Sequence, residues 1–178
     1  MSDVCITVVE ISIGPLVAAD RADTVIEWLL RTGVVELNPN RNELWQPSVY
    51  RPGPGVRTAV PSWQEPDYTL VNNGVDVIVE RQLYHPLGAY RPAACPACAR
   101  RLDEAVHETY AAPWLAGNEP DVRCPGCAVV HPLGDWPDSF QVGELAVSCH
   151  NWPPLADAFL IALGQRLGPR WRVVHEYY

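Results

Sequence analysis

The hydrophobic pattern divides the chain into strands, helices and one long interruption. "VCITVVEISI" (4–13) is apolar on both faces, as a buried interior strand is. Gly14-Pro15 then reads as a break. In "DRADTVIEWLLRTG" (20–33), Ala22, Val25, Ile26 and Leu29 recur at helical spacing, with Asp20 suited to the N-cap and Gly33 to the C-terminal cap. "VVEL" (34–37) is a short strand. Residues 38–66 are rich in Pro, Asn and Gly and read as a loop long enough to suggest a partner-contacting segment. "VDVIVERQLYH" (75–85) alternates, with Val75, Val77, Val79 and Leu83 on one face. "QVGELAVSCHNW" (141–152) alternates again, with Leu145, Val147 and Cys149 facing one way. Pro153-Pro154 opens a helix in which Leu155, Ala158, Phe159 and Ala162 share a face, and "RWRVVHEYY" closes the chain as a strand.

The resulting order is β-α-β, an interruption, then β-α-β. It predicts an α/β (α+β) protein whose antiparallel sheet has the ferredoxin-like split β-α-β arrangement. Residues 1–84 and 141–178 together form one α/β domain on this reading, and 85–140 form an inserted module. That module has little apolar content of its own and needs something else to hold it.

The cysteines supply it. Cys95-Pro-Ala-Cys98 and Cys124-Pro-Gly-Cys127 are two tight turns, each able to aim two thiolates at one point and to direct backbone N–H groups at sulfur. Two such turns complete the tetrahedral four-sulfur shell of structural zinc. A thioredoxin-like redox site needs only one CxxC. Disulfides fit poorly with a reducing compartment, and an iron–sulfur cluster remains an alternative occupant of the same ligands. Zinc leads, and its binding energy would be folding energy for the module.

Across about residues 91–132 the paired CPxC turns resemble the zinc-ribbon or zinc-knuckle group. The resemblance implies a metal and a local fold rather than an activity. It departs from the usual CPxCG knuckle at Ala99 and Ala128, where glycine is usual. Arg91, Arg100, Arg101 and Arg123 lie within four residues of a ligand and are candidates to offset the negative charge of four thiolates on one Zn²⁺.

Composition narrows the function. The 178 residues carry a formal net charge of −8, which disfavours nucleic acid and anionic membrane. All 13 basic residues are arginine. Chemistry that depends on a lysine, such as a Walker P-loop or a Schiff base, is therefore excluded. No membrane-spanning apolar run and no secretory signal are visible, so the sequence reads as soluble and cytoplasmic.

Other candidate chemistry is sparse. Cys149 and His150 are strand neighbours, so their side chains point to opposite faces and do not meet. His85 and His131 each open an HPLG tetrapeptide beside the module. Both read as turn residues; the functional alternative gathers His85, His131 and His150 in a pocket between sheet and module. Trp45, Tyr50, Arg51 and Trp63 combine interface-forming residue types within the long loop. The leading expectation is a zinc-stabilised, non-catalytic protein-binding protein of adaptor, inhibitor or immunity type, suited to a basic partner. An enzyme using the histidine pocket comes second, and a nucleic-acid-binding zinc ribbon third.

Overall fold

The first apolar run forms β1 (Val4–Glu10), an interior strand of a six-stranded sheet, in a computed structural model that describes residues 4–178. The sheet order is β10 (Trp171–Tyr177), β1, β9 (Leu145–His150), β4 (Val75–Ile78), β3 (Tyr50–Pro52) and β2 (Val35–Leu37). Every pairing is antiparallel. Register places Val8 opposite both Val173 and Val147, and Cys5 opposite both Glu176 and His150. The protein is thus mixed α/β with a mostly antiparallel sheet.

Helices α1 (Pro15–Arg31) and α4 (Asp157–Leu167) cover one face. Beneath them Ile6, Val8, Val75, Leu145, Val147 and Cys149 meet Ala22, Val25, Leu29, Phe159, Leu163 and Leu167 in one core. Helix α1 begins five residues before the expected start. Pro15 occupies the first turn, where its missing N–H leaves no helical bond unmade, and Asp20 lies exposed inside the helix. Gly33 follows the helix at φ +68°. In α4 the buried face is Phe159, Leu163, Gly164 and Leu167, while Ala158 is exposed. The N–H of Ala156 bonds to the carbonyl of Ala59 at 2.9 Å, and the helix begins only at Asp157.

The run 75–85 is not one strand. The chain leaves the main sheet at exposed Val79, and β5 (Gln82–Tyr84) pairs instead with β8 (Gln141–Gly143). Arg81 fixes the departure, donating to the carbonyls of Leu115 (3.0 Å) and Trp114 (2.5 Å) and pairing with Glu144. The segment between β5 and β8 packs, through a core of its own, on the face of the sheet that the helices leave open.

The excursion is not short of core. Leu102, Trp114, Val122, Leu133, Trp136 and Phe140 form a second cluster that continues onto the sheet through Val9, Ile11, Ala146 and Val174. The pattern hid this because these residues are scattered singly among prolines and polar residues. At about 25 cal/mol per Å² of apolar surface, aromatic burial on this scale is a major stabilising contribution beside any metal. Arg170 and Arg172 clamp the same module: Arg170 bonds Glu119 at 2.7 and 2.9 Å, and both guanidiniums reach Asp135, at 2.8 and 2.6 Å. Burial raises the Asp135 carboxyl, but these two arginines outweigh it and hold it below its ordinary range. No helix among the described residues is long and apolar enough to cross a membrane.

Candidate metal centre

Both cysteine pairs fold into the same hairpin. In the first, the N–H of Ala99 bonds to the Cys95 carbonyl at 2.8 Å and the N–H of Cys95 to the Arg100 carbonyl at 2.9 Å. In the second, Ala128 and Cys124 donate to Cys124 and Val129 at 3.0 and 2.8 Å. The turn requires a left-handed residue after the second cysteine, and Ala99 and Ala128 adopt it at φ +58° and +61°. The alanines leave the hairpin intact and hold it in a conformation that glycine takes without strain.

The first hairpin lies between Ala93 and Leu102, whose backbones bond at 3.0 Å. The second tops a ribbon of β6 (Asp121–Arg123) and β7 (Val130–Pro132). The two converge. Cys95 and Cys127 sulfurs are 3.7 Å apart, Cys98 and Cys124 sulfurs 3.6 Å, and all four lie within 4.8 Å of one another. A tetrahedron with Zn–S bonds of about 2.3 Å has sulfur–sulfur edges of about 3.8 Å, so the spacing fits a metal ion.

Backbone amides support the sulfurs. The N–H of Ala97 points at Cys95 Sγ (3.4 Å) and that of Gly126 at Cys124 Sγ (3.3 Å). Backbone donors from Cys127 and Gly126 hold the Cys124 thiol low, toward the anion a metal requires. Cys95 and Cys124 are buried in the module core, whereas Cys98 and Cys127 face solvent.

The four arginines have separate tasks. Arg101 donates to the Pro92 carbonyl and pairs with Asp138 at 2.6 Å. Arg123 donates to the Ala128 carbonyl at 3.2 Å, bracing the second hairpin. Arg100 lies across Gly126, and Arg91 is exposed. The hydrogen bonds to Cys95 Sγ and Cys124 Sγ come from the backbone, not from these guanidiniums.

The histidines do not assemble as a group. His85 stacks on Tyr90 with ring centres 4.6 Å apart, and its Nδ1 accepts from the N–H of Leu87, as a turn histidine does. His131 lies in β7, where its carbonyl accepts from Trp136 Nε1. His150 stands on the main sheet beside Asp76. A cleft of about 600 Å³ does lie between β10 and the module, lined in part by Trp136, Ser139, Gln141 and Arg172, but none of the three histidines lines it. His150 lines a separate, smaller cleft.

The histidine that organises the module is His107, which its sequence context does not single out. Helix α2 (Glu104–Glu108), capped by the Asp103 side chain on the N–H of Val106, carries it inward. Tyr90 Oη and Ser139 Oγ contact its two ring nitrogens at 2.8 and 3.0 Å, and the ring stacks on Phe140. Burial pushes it down to about 4, so it is a neutral core member. Helix α3 (Ala111–Leu115) buries Trp114 beside it.

In the 38–73 excursion, Trp45 and Trp63 are 56% and 76% exposed, and Leu44 is 93% exposed. Tyr50 instead packs against the helix-side core, and Arg51 pairs with Glu36 at 2.6 Å, so neither is a free anchor. Compared with known proteins, the chain matches no family model, no curated protein and no solved structure.

Proposed function

We propose that this chain is a zinc-stabilised protein-binding protein of adaptor, inhibitor or immunity type, working in the cytoplasm. The strand order β10-β1-β9-β4, with α1 and α4 on one face, supports reading the scaffold as a ferredoxin-like split β-α-β sheet, extended at one edge by β3 and β2. The closed four-sulfur shell supports zinc in a structural role, with no coordination position left for a substrate.

One observation carries the binding reading. The tryptophans divide by place: Trp114 and Trp136 are each 1% exposed inside the module, whereas Trp45 and Trp63 project from the excursion. Exposed tryptophan next to exposed Leu44 is the composition of an interface anchor. Locally the excursion is neutral, with Arg41, Arg51 and Arg57 against Glu43, Glu65 and Asp67. Apolar anchors therefore set the contact, while the overall charge of −8 steers a basic partner toward it.

The test is affinity capture with the full chain and with a Trp45→Ala/Trp63→Ala variant, with metal analysis of both. The expected result is one zinc per chain in each, and a bound protein retained by the wild type but lost from the variant. Identical captured sets would refute the anchor assignment.

A further inference from the structure

Three adjacent strands bring a thiol, an imidazole and a carboxylate together on the sheet face that carries the module. Cys5 and His150 are direct cross-strand partners, so their side chains share a face. His150 Nε2 lies 3.2 Å from Asp76 Oδ2. Asp76 is itself fixed by Ser48 Oγ at 2.7 Å and the N–H of Val49 at 2.9 Å. Cys5 and His150 both line a cleft of about 220 Å³, together with Val4, Val71, Asn72 and Asn151. Asn72 and Asn151 are both left-handed, at φ +50° and +55°.

We propose that Cys5, His150 and Asp76 form a thiol acyl-transfer site that hydrolyses a small acyl ester or thioester held in this cleft. The inference goes beyond protein binding and departs from the expectation of a chain without catalytic activity. The arrangement has the members that nucleophilic catalysis uses: a nucleophile cross-strand from an imidazole, and the imidazole oriented by a third group. The Cys5 thiol passes its proton to His150 as Sγ attacks the acyl carbon, forming a C–S bond. The bond from carbon to the leaving oxygen or sulfur breaks, and the leaving group departs with the proton held by His150. A water molecule then attacks the acyl-Cys5 carbonyl. It gives one proton to His150, releases the carboxylic acid and restores the thiol–imidazole pair.

The surroundings suit those steps. Burial works against a charged His150, but hydrogen bonds to Asp76 and Cys5 outweigh it and push the imidazole up to about 10, so the site carries the proton that a leaving group needs. Asn72 Oδ1 accepts from the N–H of Ser48, which leaves its NH₂ as a donor for the carbonyl oxygen of a bound acyl group. The cleft, about 220 Å³, is of a size to seat a small acyl group. Asp76 acts as a positioning residue through His150. Cys149, on the opposite face, is an internal control: burial pushes its thiol well up, and it does not line the cleft.

The test treats the zinc-loaded full chain with p-nitrophenyl acetate and locates the acetyl group by peptide mass spectrometry. The expected product is acetyl-Cys5 that turns over, with Cys149 unmodified. Cys5→Ser removes the reaction. His150→Gln slows it by about 100-fold or more, given the usual size of acid–base contributions. Asp76→Asn also slows it, and Asp76→Glu restores part of the rate, a rescue that a merely structural carboxylate does not give. Zinc content and far-UV circular dichroism establish that each variant folds. Should His150→Gln fail to fold, the Asp76→Asn and Asp76→Glu pair decides. Acetylation only at other residues, or a Cys5 rate unchanged by loss of the imidazole or by both Asp76 substitutions, would overturn the proposal.

Discussion

Replacing Ala99 and Ala128 by glycine should tighten metal binding. Each alanine holds a left-handed backbone, at φ +58° and +61°. An L-residue there costs about 1–2 kcal/mol relative to the right-handed region. Glycine removes that cost but gives the unfolded chain more freedom, returning about 0.4–1 kcal/mol. Both alanines are exposed, so losing the methyl group forfeits little burial. The net gain is about 1 kcal/mol per hairpin and about 2 kcal/mol for the pair. Hairpin folding and metal binding are one equilibrium, so the gain appears as affinity: about 5-fold for each variant and about 30-fold for Ala99→Gly/Ala128→Gly. Competition with a chromophoric zinc chelator at fixed pH measures it. Ala97→Gly supplies the opposite sign, because Ala97 does not have positive φ and glycine there only adds unfolded-state freedom. If Ala99→Gly and Ala128→Gly weaken zinc binding as Ala97→Gly does, the hairpin geometry is wrong.

Chelation of the metal, or Cys124→Ser, should loosen the module before the helix side of the sheet, because the two faces have separate cores. Tryptophan emission from Trp114 and Trp136 should shift to the red while the far-UV helical signal of α1 and α4 largely persists; simultaneous loss of both signals would count against separate cores. Gly164→Ala should destabilise by about 1–3 kcal/mol in chemical denaturation, an overpacking cost. An added Cβ would stand 2.2 Å from the Trp171 ring, and a neutral result would mean that α4 does not rest on that indole. The Asp76–His150 pair sets a pH window. The His150 value is raised to about 10 from an unfolded value near 6.5, so its contribution is complete below about pH 6.5 and is lost as pH rises toward 10. Asp76 is held low: burial raises it, but bonds from His150, Val49 and Ser48 lower it further, so its contribution disappears on acidification. Thermal melts of His150→Gln should be flatter than wild type from pH 6.5 to 10, and parallel profiles would remove the pair from the stability account. Cys5, Glu176 and Tyr178 belong to the same neighbourhood, so the wild-type/variant difference is the quantity to read.

The sequence by itself determined whatever depends on local spacing. Alternation placed Leu145, Val147 and Cys149 on one face, and the CPxC repeats identified the four sulfurs that converge. Both follow from short-range geometry: a strand has a period of two, and a tight turn aims its own two cysteines. Local spacing misjudged what long-range contacts decide. It placed the start of the first helix at Asp20 where Pro15 already opens α1, and it read 75–85 as one strand although Arg81 diverts it to a second sheet. The module seemed coreless in sequence because Leu102, Trp114, Val122 and Phe140 meet only after folding. Tertiary structure alone decided that Cys5 meets His150. The two are 145 positions apart (150 − 5), and pairing across β1 and β9 makes them neighbours, whereas the adjacent Cys149 faces the other way. Which distant strands pair, and in what register, depends on burying both faces of the sheet at once, and no local pattern carries that condition.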